Sequence, residues 1–63
     1  MTELTRMYHE MLVTLEKGIN DLEKFEDGNM SAGTRVRKTM QVTKELAQKI
    51  RVTVQEQKNA VAN

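Results

Sequence analysis

Apolar residues recur at helical spacing along two long segments of the chain. In the first segment they are separated by alternating steps of four and three residues, and two further apolar residues widen the stripe. These positions are Leu4, Tyr8, Met11, Leu15, Gly18, Leu22 and Phe25, with Leu12 and Ile19 beside them. The second segment shows the same alternation at Val36, Met40, Thr43, Ala47, Ile50, Val54, Gln57 and Val61, with Leu46 beside them. The polar Thr43 interrupts this stripe, and it weakens toward its end, where Gln57 replaces an apolar residue. Because such steps place side chains on one face of an α-helix, the pattern predicts two amphipathic helices.

A short polar segment, EDGNMSAG, separates the two patterns. Gly28 suits the left-handed backbone conformation that follows a helix, and either Asn29 or Ser31 suits the cap of the next helix. We therefore expect one domain, residues 1–63, with a helix over about 3–26, a turn over about 27–30 and a helix over about 31–60. So short a connection makes consecutive helices antiparallel neighbours. The predicted fold class is all-α, a two-helix hairpin.

The apolar faces are expected to form both the core of the hairpin and an oligomer interface. A chain of 63 residues buries only about 60% of the surface that its unfolded form exposes, so a lone hairpin should be marginally stable. Two helices side by side also leave part of a wide stripe in water. We therefore predict a homodimer, either a four-helix bundle or a coiled coil. The predicted core and interface residues are Leu4, Tyr8, Met11, Leu15, Ile19, Leu22, Phe25, Val36, Met40, Ala47, Ile50 and Val54.

Composition narrows the chemistry that the chain can perform. It has no cysteine and a single histidine, His9, so we expect no catalytic constellation, no metal site and no cofactor. Gly18 is expected to mark a close approach of the second helix rather than a ligand site. No apolar run approaches the about 20 residues of a membrane span or the apolar core of a signal peptide. These features predict a cytoplasmic protein that is not an enzyme and has neither a membrane nor a small-molecule partner.

Charge is distributed unevenly along the chain. Residues 1–27 carry three basic and seven acidic side chains, whereas residues 28–63 carry seven basic and two acidic ones. Four of these cations recur every seven residues on the second helix. This basic row consists of Arg37, Lys44, Arg51 and Lys58. At the rise of an α-helix the row is about 32 Å long, comparable to about one turn of duplex DNA.

The spacing of the basic row is compatible with two roles. The cations would contact a phosphate backbone, or they would pair with acidic residues of a neighbouring helix, where Asp21 and Glu26 are best placed. Near the turn, Arg35, Arg37 and Lys38 would likewise hold a phosphate at the helix N-terminus or pair locally with Glu26 and Asp27. With one Tyr and one Phe in the chain, base stacking is not expected, so nucleic-acid binding would be driven by backbone contacts and weakly sequence-selective.

Two segments of the chain resemble a known family. They are DLEKFEDGNMSAGTRVRKTMQ, residues 21–41, and KELAQKIRVTVQEQKN, residues 44–59. Both are similar to the small bacterial linker-histone-like proteins, the family that includes the chlamydial histone-like nucleoprotein. The tightest similarity lies in GN-x-x-AGTRVRK, residues 28–38, and IR-x-x-VQE-x-KN, residues 50–59, within a resemblance that extends from about residue 10 to residue 59.

The resemblance implies a nucleoid-associated protein that binds DNA with little sequence preference and helps to compact or organise the chromosome. Carried over by position, Arg35, Arg37 and Lys38 match the basic cluster of the family, and Lys44, Lys49 and Arg51 match its basic helix. Together with Lys58 of the basic row, these are the candidate DNA-binding residues. Longer members continue into a basic Lys/Ala/Pro-rich tail, and we expect a short member without it. The alternative interpretation is a structural oligomerisation or adaptor module that binds protein partners without DNA.

Overall fold

The protein folds into two antiparallel α-helices. The computed structural model describes residues 1–62, with α1 over Glu3–Glu26 and α2 over Met30–Ala62. Within these residues there is no strand, and the predicted all-α hairpin is confirmed. α2 begins one residue earlier and continues two residues further than the expected helix. Asn63, the last residue of the expected domain, lies outside the described residues.

The turn between the helices is a Schellman motif. The amide of Gly28 donates to the carbonyl of Phe25 at 2.9 Å, and the amide of Asn29 donates to the carbonyl of Lys24 at 3.0 Å. Gly28 has a φ of +105°, a conformation that residues with a Cβ rarely adopt. The sequence prediction that Gly28 follows the end of the first helix is thus confirmed.

Asn29 caps the second helix. Its Oδ1 accepts a hydrogen bond from the backbone N–H of Ala32 at 3.1 Å, as an N-cap side chain does at the third helical residue. Ser31, the alternative cap, donates its hydroxyl to the same oxygen at 2.8 Å. At the other end of the hairpin, Thr2 caps α1 by accepting from the amide of Thr5 at 3.1 Å.

The contact between the helices combines small side chains with larger apolar ones. The least exposed positions of α1 are Leu4, Met7, Met11, Thr14, Gly18 and Asp21. Those of α2 are Ala32, Gly33, Val36, Thr39, Thr43, Leu46, Ala47, Ile50 and Thr53. A Cβ added to Gly18 would lie 3.1 Å from Cγ2 of Thr39, so the expected close approach at Gly18 is present.

This contact agrees with the predicted one at Leu4, Met11, Gly18, Val36, Ala47 and Ile50, and differs from it elsewhere. The apolar pattern places the contact of α1 along Tyr8, Leu15 and Leu22, but the structure places it one residue earlier, along Met7, Thr14 and Asp21. Leu46, predicted at the margin, is one of three buried hydrophobic residues, with Met7 and Ala32. The physical reason is steric, because Gly18, Ala32 and Thr39 let the helices approach closely in the half near the turn, and Leu15 and Leu22 then remain outside. Toward the other end the larger Met7 and Leu46 are buried.

Much of the predicted core therefore stays in water when the hairpin is considered alone. The exposed fraction is 55% for Tyr8, 56% for Ile19 and 49% for Met40. Leu12, Leu15, Leu22, Phe25 and Val54 are also exposed. The Cα extents of the hairpin are 54 × 19 × 11 Å, so it is a single layer two helices wide, with no second layer to cover these residues.

Candidate nucleic-acid interface

The basic row forms a line of exposed cations on α2. Its four members recur once per two helical turns and therefore lie on nearly one side of the helix. All four side chains are exposed, and none forms an ion pair within residues 1–62. The arrangement leaves their charges available to an external anion along most of the length of α2.

Arg35 is held differently from the row. Its Nε donates to Oδ1 of Asp21 at 2.8 Å, and this ion pair joins α2 to α1. The Asp21 side chain is 22% exposed and that of Arg35 is 48% exposed. The sequence offered Glu26 and Asp27 as local partners of Arg35, whereas the structure pairs it with Asp21. Arg35 is therefore less available to an external anion than the row.

The other two candidate cations lie apart from the row. Lys38 follows Arg37 by one residue, about 100° further around the helix. Lys49 lies beside Glu3 and Met7 at a shallow depression on another side of the hairpin. Both are exposed and form no ion pair in the part of the chain described here. The structure thus brings four of the seven candidates together and separates the other three.

The N-terminus of α2 is partly occupied by its own cap. The side chain of Asn29 already accepts from the amide of Ala32, one of the donors that a phosphate would use. Because α2 begins at Met30, Arg35, Arg37 and Lys38 lie beyond its first turn, where the repulsion by the helix dipole is concentrated. Repulsion between these cations and the helix dipole is therefore small.

An apolar groove extends along one side of the hairpin. Its centre is lined by Leu12, Leu15, Ile19, Leu22, Val36 and Met40. Toward the turn it continues over Phe25 and Met30, and toward the other end over Leu4, Tyr8, Ile50, Val54 and Val61. We call this surface the apolar face. Contiguous exposed apolar surface of this kind is typical of interaction sites rather than of monomer surfaces.

Charged side chains of opposite sign border the apolar face. Glu16 lines it on the α1 edge, whereas Arg37 and Lys58 line it on the α2 edge. The basic row is therefore the border of the apolar face on α2. The sequence pattern identified the row and most of the apolar residues but not the acidic border on α1, because that border depends on the rotation of α1 about its axis.

Other kinds of site are not observed in the described part of the chain. Residues 1–62 contain no group of three or more His, Cys, Asp or Glu side chains positioned to hold a metal ion. Neither α1 nor α2 has the combination of length and apolarity that a membrane-spanning helix requires. The basic row and the apolar face are therefore the two surface features on which an interpretation can rest.

Comparison with known proteins identifies one family. A family model described as Histone H1-like protein Hc1 matches residues 5–60. Neither the comparison with curated proteins nor that with solved structures found a significant match. The matched range includes the turn, the basic row and nearly all of both helices, so the resemblance inferred from the motifs at residues 28–38 and 50–59 is confirmed.

Proposed function

The chain belongs to the histone H1-like protein Hc1 family, and on this premise we propose that it is a nucleoid-associated protein that binds DNA. The proposed contacts are made by the cations of α2 to the phosphate backbone, and their role is to compact or organise the chromosome. The proposed location is the nucleoid, within the cytoplasm.

One observation supports the proposal more than any other. Six cations of α2 have no ion-pair partner within residues 1–62, and four of them form the basic row. A row of unpaired cations about 32 Å long follows a phosphate backbone well, and release of counterions from DNA would favour the contact. The two aromatic side chains, Tyr8 and Phe25, line the groove rather than the outer surface of α2, so we propose binding without base stacking.

Fluorescence anisotropy with a labelled random-sequence duplex tests this function. We expect log affinity to fall linearly with log salt concentration, by about 0.9 for each phosphate contacted. The test variant is Lys49→Gln, Arg51→Gln and Lys58→Gln. The matched control, Arg6→Gln, Lys17→Gln and Lys24→Gln, removes the same charge from α1.

The test variant should lose at least about tenfold in affinity and should have a smaller salt slope, because phosphate contacts are removed. The control should lose much less. Absence of binding at low salt, or equal losses in the two variants, would contradict the proposal.

We also propose that the protein is a homodimer formed through the apolar face. The hairpin alone buries three hydrophobic residues among those described, which is little for a stable fold, whereas the apolar face extends along both helices. The same observation favours the second candidate function, an assembly module without DNA binding. Sedimentation equilibrium combined with the anisotropy measurement separates the two, since an assembly module would form the oligomer and leave the duplex unbound.

A further inference from the structure

The border of the apolar face has opposite charge on its two sides. On α1, His9, Glu16 and Glu23 recur every seven residues, and the first two line the groove. On α2, the corresponding border is the basic row. None of Glu16, Glu23 and the four members of the row forms an ion pair within the described hairpin. Both sets of charges therefore lack partners in a single copy.

Two symmetric arrangements would cover the apolar face with a second copy. If the turns lie at opposite ends, each helix packs against its own counterpart, so that the acidic border meets the acidic border and the basic row meets the basic row. If the turns lie at the same end, α1 of one copy packs against α2 of the other. In that arrangement acidic and basic borders meet, and they meet twice because a two-fold interface repeats every contact.

We propose that two copies pack face to face with their turns at the same end, so that each α1 lies against α2 of the second copy. The inference rests on the homodimer proposed above and adds its orientation. Its basis is charge complementarity along the border of one continuous apolar face. In the alternative arrangement like charges would meet along both borders and would oppose association. In the proposed arrangement opposite charges meet, and their attraction favours this orientation of the two copies.

The register of the two helices in the hairpin identifies which carboxylates of one copy would pair with which cations of the other. Gly18 is level with Thr39, and Asp21 is level with Arg35. Because a second copy with its turn at the same end has the same levels, Glu16 lies between Arg37 and Lys44 of that copy. Glu23 lies near its Arg37. The other two cations, Arg51 and Lys58, are level with the beginning of α1, where the border carries His9 and no carboxylate.

The proposed pairing divides the basic row into a half that pairs with carboxylates and a half that stays unpaired. Near the turns, Arg37 and Lys44 are engaged by carboxylates of the second copy. At the other end of the dimer, Arg51 and Lys58 of each copy remain unpaired, one such pair on each of the two borders. The dimer therefore presents unpaired cations on both sides of one end, and DNA contacts are concentrated there.

Distances between spin labels test the orientation, and the absence of native cysteine makes single sites simple to introduce. Asp27→Cys places a label beside the turn, and Ala60→Cys places one near the end of α2. Packed helices are about 10 Å apart, so each variant should give a short label-to-label distance, below about 30 Å with the label linkers. In the alternative arrangement both distances would approach the 54 Å length of the hairpin.

Two short distances support the proposed orientation. A long distance in either variant overturns it while leaving a homodimer intact, and absence of dipolar coupling overturns the homodimer as well. Neither outcome depends on DNA, so failure of the orientation is distinguishable from failure of the DNA-binding proposal. An occupant of the apolar face other than a second copy would give no coupling.

Charge reversal tests the ion pairs directly. Glu16→Lys with Glu23→Lys should raise the dissociation constant of the dimer about tenfold or more, and Arg37→Glu with Lys44→Glu should do the same. Combining all four substitutions should bring the constant back to near its original value, because the pairs are restored with reversed polarity. If the combined variant is weaker than either double variant, the proposed pairing is wrong.

Discussion

Arg35 and Asp21 form an ion pair that joins the two helices of the hairpin. The guanidinium Nε of Arg35 donates to Oδ1 of Asp21 at 2.8 Å, across a contact that is partly shielded from water. The same residue belongs to the basic cluster that the family resemblance assigns to DNA. The geometry therefore favours a structural role for Arg35, in contrast to Arg37 two residues later, which forms no ion pair among the described residues.

Replacing Arg35 should reduce stability more than DNA affinity. We expect Arg35→Gln to lower the free energy of unfolding by about 0.5–1 kcal/mol at low salt, because a partly exposed pair contributes about that much. The loss should shrink as salt screens the pair. Chemical denaturation at fixed protein concentration measures the effect. Lys38→Gln is the control and should change stability little, since Lys38 has no ion pair in residues 1–62.

The fold was largely predictable from sequence, and the rotation of its helices was not. The spacing of the apolar residues predicted the two helices. The two glycines predicted the turn at Gly28 and the close approach of the helices at Gly18. The contact along Met7 and Leu46 was missed because the apolar stripe of α1 is wider than one neighbouring helix can cover. A pattern of hydrophobicity identifies that whole stripe, but the choice of which edge packs within the hairpin depends on where small residues allow backbones to approach.

The ring of Phe25 occupies the space beside Gly33. A Cβ on Gly33 would lie 2.6 Å from Cδ1 of Phe25, so the ring must move to accept it. We expect Gly33→Ala to lower the free energy of unfolding by about 1 kcal/mol, because the steric cost exceeds the gain in helix propensity. In a Phe25→Ala background the same substitution should instead stabilise the protein. If Gly33→Ala is stabilising in both backgrounds, the close contact between Phe25 and position 33 does not limit stability.

Gly28 is required for its backbone conformation alone. Its φ is +105°, and no atom beyond Gly28 and its two chain neighbours lies within 4 Å of the position that a Cβ would take. Gly28→Ala should therefore destabilise the hairpin by about 1–2 kcal/mol through strain in the turn. Thermal unfolding followed by circular dichroism measures the loss. Asp27→Ala, at a residue with φ of −81°, should cost much less, and equal losses at the two positions would contradict this explanation.

The apolar face should tolerate a charge in the monomer but not in the dimer. Ile19 is 56% exposed and lines the centre of the groove, whereas Val13 is 47% exposed and does not line it. Ile19→Lys should raise the dissociation constant of the dimer about a hundredfold, because an unpaired ammonium would be buried at the interface. Val13→Lys should leave it nearly unchanged. Sedimentation velocity measures both, and equal behaviour of the two variants would place the interface elsewhere.

The candidate site was predictable as a set of residues but not as an arrangement. A spacing of seven identified the basic row, and the other candidates, Arg35, Lys38 and Lys49, came from their positions on the second helix and from the family resemblance. Sequence left open whether the row pairs with carboxylates or with phosphates. In a single hairpin none of its members has an ion-pair partner within residues 1–62, and the opposite charge on the α1 border of the apolar face offers partners to Arg37 and Lys44 in a second copy.

The two halves of the basic row are expected to contribute differently to DNA binding. Arg51→Gln with Lys58→Gln should lower DNA affinity at least about tenfold and reduce the salt slope, because these cations remain free in the proposed dimer. Arg37→Gln with Lys44→Gln removes the same charge from the same row. It should affect DNA affinity less and dimer dissociation more, since those cations face Glu16 and Glu23 of the second copy.

The two double variants remove the same charge from the same heptad position of the same helix. A difference in their DNA affinity or dimer dissociation therefore reports only where along the bundle the cations lie. Anisotropy and sedimentation on the same samples give both quantities. If both pairs reduce DNA affinity equally and neither changes dimer dissociation, the whole row contacts phosphates and the second copy does not engage it. If the Arg37 and Lys44 variant instead weakens dimerisation with a small loss of DNA affinity, one row of four cations performs two tasks, pairing near the turns and phosphate binding at the other end.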